Sequence, residues 1–306
     1  MATTAAARPA VRRRKVAPWR DRQGRFSWLK SLTLAGCIAP GAALAYWAIT
    51  HQLGARPTLE AIHETGLWTI RFFLISFALT PARLVFDWPR APLIRRMVGV
   101  TACCYALAHF SLYIVDENYK LLTVASEIIH RFYLTIGFCT LLLLIALTAT
   151  STDAATRRMG KWWKRLHRAV YVIGVLALLH YFIQSKANVG EPIVFAGLFL
   201  WLVLWRVQPA RWKGRIWVLP VLGVAAAVLA GGLEFTWYHF ATHINASRVV
   251  SAEWALRFGI RPAQWVLISG AAIVALAVVW RLTRGLRRRS GPPSMMPRGA
   301  PQRGTS

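Results

Sequence analysis

"LHRAVYVIGVLALLHY", residues 166–181, decides how this chain is read. After Arg168 it is an unbroken apolar run of helix length, and it carries an imidazole near each end, His167 and His180. Such a run belongs in lipid or among packed helices, where an ionisable side chain is costly and marks a function by default. Two questions follow: whether the rest of the chain is equally apolar, and what other imidazole stands level with these.

The first is settled by composition. Of 306 residues 56% are hydrophobic and 15 are Trp, and mean hydropathy is +0.41, far from the balance of a soluble domain. The formal charge of +27 would suit nucleic acid. However, the basic residues fall in short clusters between long apolar runs and offer no continuous basic surface, so they read as topology signals and no nucleic-acid partner is expected. Cys37, Cys103, Cys104 and Cys139 all lie inside apolar runs without a Cys-x-x-Cys spacing, which indicates packing residues and neither zinc nor a disulfide framework.

Crossing ~30 Å of hydrocarbon takes about 20 helical residues. Eight stretches come near that length: Leu29–Ile49, Leu67–Phe86, Met97–Val115, Phe132–Thr150, Ala169–Gln184, Pro192–Trp205, Ile216–Leu233 and Gln264–Trp280. The expected fold is therefore an all-α integral membrane protein, a bundle of about eight transmembrane helices. "RRRK" (12–15), Arg20, Arg22 and Arg25 precede the first span and hold the amino terminus in the cytoplasm. A signal peptide is the rival reading, with "ALA" at 43–45 as its cleavage site, but the run continues through "YWAI" and favours an uncleaved anchor. Alternating from there, the cytoplasmic side receives "DWPRAPLIRR" (87–96), "DAATRRMGKWWKRLHR" (153–168), "RVQPARWKGR" (206–215) and "RLTRGLRRR" (281–289), all rich in Arg or Lys. The other side receives 50–66, "DENYKLLTVASEIIHR" (116–131), "SKANVGE" (185–191) and 234–263, which hold most of the acidic residues. Both termini are thus expected in the cytoplasm. The Gly-, Pro-, Ser- and Arg-rich tail reads as disordered, and neither an internal repeat nor a soluble domain is evident.

The second question is answered by depth. The third and fifth spans both run outward, and His109 lies 12 residues beyond Met97 while His180 lies 13 beyond His167. At about 1.5 Å per residue each imidazole sits ~18–20 Å from the cytoplasmic end, in the outer half. Two level imidazoles on different helices, with Tyr105, Ala106, Phe110, Tyr113, Gly174 and Tyr181 nearby, suit the axial positions of a haem. His167 is rotated ~220° from His180 on an ideal helix and does not share its face. It is open to ligating a second haem or to hydrogen-bonding a quinone or flavin; the matching place on the third helix holds Arg95 and Arg96 and no histidine. Arg71, just inside the outer end of the second span, either snorkels outward or, with Arg131, meets the haem propionates. His51, His63, His130 and the pair in "HFATH" (239–243) read as surface or structural histidines.

These residues carry a resemblance. "TPARL" (80–84), "RRMVGVTACCYALAHFSLY" (95–113), "RFYLTIGF" (131–138) and "LTATSTDAATRRMGKWWKRLHRAVYVIGVLALLHYF" (147–182) closely resemble the MsrQ (YedZ) family, within the ferric-reductase-like transmembrane class, over residues 27 to 207. The family histidines map onto His109, His167 and His180. The resemblance implies a six-helix b-type cytochrome of the bacterial inner membrane, with haem b and FMN as cofactors. Such a protein draws electrons from membrane quinol and passes them to a periplasmic molybdoprotein of the MsrP type, which reduces methionine sulfoxide in oxidised proteins. A cytoplasmic flavin reductase is a further expected partner.

Two departures stand out. The last two spans are an addition to the six-helix core, and no carboxy-terminal FAD/NADPH domain with a Gly-x-Gly-x-x-Gly unit follows. The expected division is a basic segment 1–26, a haem-binding core 27–207, an added helix pair 208–283 and a disordered tail 284–306. Electrons are expected to arrive near Arg95, Arg96, His167 and Arg168 and to leave through haem at His109 and His180, with no sulfoxide-reducing centre in this chain. The competing readings are a ferric or cupric reductase and a non-redox transporter that uses its histidines for ions or protons.

Overall fold

In the computed structural model the described residues are 17, 19–20, 23–186, 188–242, 245 and 259–289. The apolar runs form α1 (Trp28–Ile49), α2 (Pro57–Val85), α3 (Ala91–Asp116), α5 (Phe132–Ala149), α8 (Ala169–Ser185), α9 (Gly190–Val207), α10 (Val218–Ala241) and α11 (Pro262–Arg289). Between them lie the short helices α4 (Leu121–His130), α6 (Asp153–Met159) and α7 (Lys161–Leu166) and a 3-10 turn at Ala210–Trp212. Eight segments are long and apolar enough to cross a membrane, α7 and α8 counting as one. The described residues hold no strand, only an isolated bridge between Arg20 and Phe26. The protein is thus an all-α, multi-pass membrane bundle. Its outward side chains agree, since Leu32, Ile38, Leu142, Val228 and Leu276 are exposed, as lipid-facing residues are.

Helix ends depart from the apolar runs for identifiable reasons. α2 begins at Pro57, well before Leu67, because proline suits the first helical position and Glu60 favours the positive helix start. α10 continues past Leu233 and takes Glu234 inside, where it is 2% exposed; Arg261 at the start of α11 meets it at 3.0 Å. Residues 116–131, expected as a loop, contain α4. The tail expected from residue 284 begins inside α11, which runs on to Arg289. The cluster Arg12–Lys15, His243, much of 234–263 and residues 290–306 lie outside the described residues.

α2 and α3 form a long antiparallel pair joined by a short turn, and α5 packs on α8. α9 touches α2 and α8 on one side and the α10–α11 pair on the other. In α2, α9 and α10 39% of the spanning window is buried, against 6% in α1, so α1 is a peripheral helix. Side-chain contacts sort the loops into two ends. At the basic end Arg96 pairs with Asp153 (2.7 Å), Arg284 with Asp87 (2.6 Å), and Arg281 Nη2 donates to the Gly214 carbonyl (2.6 Å). At the opposite end Arg131 pairs with Glu127 (2.7 Å) and Trp237 Nε1 donates to the Lys186 carbonyl (3.1 Å).

Candidate functional site

α3 and α8 each carry one histidine into the space enclosed by α2, α3, α5 and α8. The His109 and His180 ring centroids are 6.3 Å apart, and the planes cross at 87°. Each Nδ1 lies 2.8 Å from a backbone carbonyl, that of Ile62 for His109 and that of Tyr133 for His180. A carbonyl only accepts, so Nδ1 carries the proton and donates, which leaves the Nε2 lone pair of each ring for another partner. A second hydrogen bond of this kind fixes the tautomer and aim of metal-binding histidines.

The donor set decides which metal group fits. Among the described residues no cluster of three or more His, Cys, Asp or Glu side chains gathers, so the two imidazoles are not part of a larger protein ligand shell. They suit a metal that brings its own in-plane donors. Two metal–nitrogen bonds of about 2 Å plus the ring radii come to about 6 Å between centroids, close to the observed 6.3 Å.

Around the pair lies a cavity of about 660 Å³, within the range of cofactor sites. Its inner wall is apolar, with Ile70, Ala106, Phe138, Leu141 and Leu144, and its mouth is polar, with His63, Asp116, Glu117, Arg131, Gln184 and Glu191. Two hydrogen-bonded groups frame that mouth. Tyr113 donates to Glu127, which pairs with Arg131, whose Nη1 reaches the Tyr133 hydroxyl at 3.4 Å. Tyr181 donates to Glu191 at 2.8 Å, and Arg71 lies 3.6 Å from the same carboxylate.

The structure separates the remaining candidates from the cavity. Arg71 does not line it; its guanidinium lies 4.8 Å over the Trp68 ring and reaches the rim only through Glu191. His167 sits between α7 and α8 at the basic end, stacked on Trp163 at 3.9 Å, with Nδ1 3.1 Å from the Trp163 carbonyl and Nε2 3.4 Å from the Ser151 hydroxyl. Arg95 donates to the Thr80 hydroxyl (3.2 Å) at that same end. Of the expected neighbours, Ala106, Phe110, Tyr113 and Tyr181 line the cavity. Tyr105 turns to α1, and Gly174 receives the Phe199 ring, its helical phase being ~240° from His180.

Sequence reasoning missed Gly66 and Gly137, which lie directly against the rings of His109 and His180. A signal was present. Ile62, Gly66 and His109 correspond to Tyr133, Gly137 and His180, each 71 positions on, inside "GLWT" and "GFCT" (66–69, 137–140) and "ALAHF" and "ALLHY" (106–110, 177–181). The repeat is only a few residues long per element and is drowned by the surrounding Leu and Ala.

The description "Ferric reductase like transmembrane component" matches residues 65–178, which enclose Gly66, His109, Gly137 and His167. A protein-methionine-sulfoxide reductase heme-binding subunit MsrQ from Xanthomonas euvesicatoria pv. vesicatoria (strain 85-10) is 39% identical over 191 residues, 60% of this chain and 86% of the relative. Relatives of the same name from Caulobacter vibrioides (strain ATCC 19089 / CIP 103742 / CB 15) and Rhodospirillum rubrum are each 38% identical, with 60% and 64% of this chain and 87% and 93% of those proteins covered. No solved structure matches the chain. With nearly the whole length of such relatives matched, this membrane protein belongs to the MsrQ family, within the ferric-reductase-like transmembrane class.

Proposed function

We propose that the protein is a membrane b-type cytochrome that carries electrons across the bilayer to a methionine-sulfoxide reductase. One observation carries the reading: the His109 and His180 rings lie 6.3 Å apart in a cavity whose inner wall is apolar, each with Nδ1 committed to a carbonyl. The relatives' description as heme-binding subunits supports it. Haem b, when bound, supplies one-electron chemistry that no side chain here offers. In this reading His109 and His180 hold it through Nε2, while Phe138, Leu141 and Leu144 exclude water. Arg131, with Tyr113 and Tyr133, meets its carboxylates at the mouth, and Arg71 acts on the same rim through Glu191.

The basic end is proposed to be cytoplasmic, with both termini there and the membrane the bacterial inner membrane, as the bias of Arg and Lys supports. Arg95, Arg96 and His167 are the proposed receiving place for a quinol headgroup or an FMN phosphate. Their partners include two hydroxyls and the Asp153 carboxylate, groups such a ligand can replace, while the Trp163 carbonyl holds the other nitrogen of His167. A cytoplasmic flavin reductase is the proposed further donor, and an MsrP-type molybdoprotein acting on oxidised periplasmic proteins the proposed acceptor. Residues 27–207 form the proposed electron-carrying core and 208–283 its added pair.

The test is a dithionite-reduced minus oxidised spectrum of the purified protein and of His109→Ala, His180→Ala and His167→Ala. The first two variants are expected to lose the low-spin b-type signal. Loss of part of the signal in His167→Ala assigns it a second haem, and full retention removes that role. A wild type with no Soret band after haem-replete expression would overturn the proposal in favour of a histidine-using transporter.

A further inference from the structure

The two imidazoles are seated by the same device. A backbone carbonyl has two lone pairs, and a helix uses one of them for the N–H one turn later. The Cβ of that later residue stands beside the carbonyl, so a glycine there uncovers the second lone pair to a side chain from another helix. On α2 the carbonyl is Ile62 and the glycine one turn later is Gly66; on α5 they are Tyr133 and Gly137. The separation from carbonyl to histidine is 47 residues in both cases, and both hydrogen bonds measure 2.8 Å.

The fit leaves no room for a side chain. A Cβ added at Gly66 would lie 3.1 Å from both Cε1 and Nδ1 of His109, and one at Gly137 would lie 2.8 Å from Cε1 and 2.9 Å from Nδ1 of His180. Neither contact is relieved by moving the tip of a flexible chain, because the opposing group is a rigid ring held by its hydrogen bond. At Gly137 the ring must swing off its carbonyl or the helix must retreat, whereas at Gly66 a give of a few tenths of an ångström is needed. Two rings seated by one rule on two different helices come out crossed, at 87°.

We infer that Gly66 and Gly137 are positioning residues which, with the carbonyls of Ile62 and Tyr133, hold the two imidazoles at right angles and so set the electronic state of the iron they share. The inference rests on the haem reading above. Each imidazole donates from one filled π orbital normal to its ring. Parallel rings act on one of the iron's two dπ orbitals and split the pair, whereas crossed rings act on both and leave them nearly degenerate. Axial ligation and its hydrogen bonds are the protein's levers on a haem.

The experiment is ferric electron paramagnetic resonance, with parallel optical spectra, on full-length haem-loaded protein in detergent. Wild type is expected to give the highly anisotropic low-spin signal of crossed ligands, with one prominent low-field feature. Gly137→Ala is expected to move that feature toward the resolved rhombic signal of parallel ligands, and Gly66→Ala to move it less. Gly231→Ala, whose Cβ would meet only the Ala263 Cβ at 3.9 Å, is expected to leave it unchanged. A rhombic wild-type signal overturns the inference even if both alanine variants lose haem. An unshifted signal in haem-loaded Gly137→Ala and Gly66→Ala overturns it too. Failure of the haem reading is separate: it appears as a missing Soret band in wild type, or as low-spin haem retained in both His109→Ala and His180→Ala.

Discussion

Tyr105 shows how one hydroxyl can dock a helix that buries little else. α1 contains Pro40, and one residue later the Gly41 N–H donates to the Tyr105 hydroxyl at 2.7 Å, which in turn donates to the Cys37 carbonyl at 3.1 Å. The phenol is spliced into the α1 hydrogen-bond ladder from α3, and in lipid no water competes for these groups. Interhelical hydrogen bonds in membranes average about 0.6 kcal/mol and reach about 1.7, so Tyr105→Phe is expected to cost about 1 kcal/mol. Thermal melting in detergent should show a lowered midpoint with an unchanged haem spectrum; an unchanged midpoint rejects the docking role. Tyr105 lies one turn before His109, so in sequence it looked like a cavity residue. Depth and spacing made the nearness of His109 and His180 legible because helix rise is regular. They said nothing about Tyr105, Gly66 or Gly137, because which helix stands opposite a given face is a tertiary fact.

Among elements, the α10–α11 pair is the one whose reading changed most. The apolar run ends at Leu233, which put Glu234 outside the membrane, yet α10 carries it to 2% exposure beside Arg261. A lone carboxylate reads as a span end; its partner lies 27 residues on, at the start of the next span, where hydropathy does not look. The pair is the inner pin of the hairpin. Removing one member of a buried pair costs about 3–5 kcal/mol, while replacing both by apolar residues is often neutral. Arg261→Leu, which takes the cation away from the buried Glu234 carboxylate, is therefore expected to lower resistance to thermal unfolding sharply, and Glu234→Leu with Arg261→Leu to recover most of it. A single variant as stable as wild type would mean that the pair contributes nothing. The far end of the hairpin is tied as well: Trp280 Nε1 and Arg284 hold the Phe86 and Asp87 carbonyls at 2.6 and 3.0 Å, the turn between α2 and α3. The added helices thus brace the pair that carries His109 and its seat.

For the whole molecule the separation of charge along the bundle axis is the organising fact. Glu60, Glu64, Asp116, Glu117, Glu127, Glu191 and Glu234 gather at one end, while Asp87 and Asp153 stand among Arg and Lys at the other. The eight-span outline was legible because that charge bias and the apolar runs are local properties of the chain, and the structure's contacts sort the loops the same way. The cavity opens among the acidic-end residues, ~20 Å of helix away from His167. If the basic end is cytoplasmic, the histidine pair sits on the delivery side, next to where a periplasmic acceptor would dock. Reporter fusions decide this. Alkaline phosphatase, active only outside the cytoplasm, is expected to be active when inserted after Asn118 or Asn188 and inactive after Gly160 or Gly214. The reverse pattern would turn the cavity toward the cytoplasm and leave a periplasmic acceptor on the wrong face. A fluorescent protein that matures only in the cytoplasm, placed at the same four positions, should give the complementary result, because an insertion that merely disrupts folding silences both reporters.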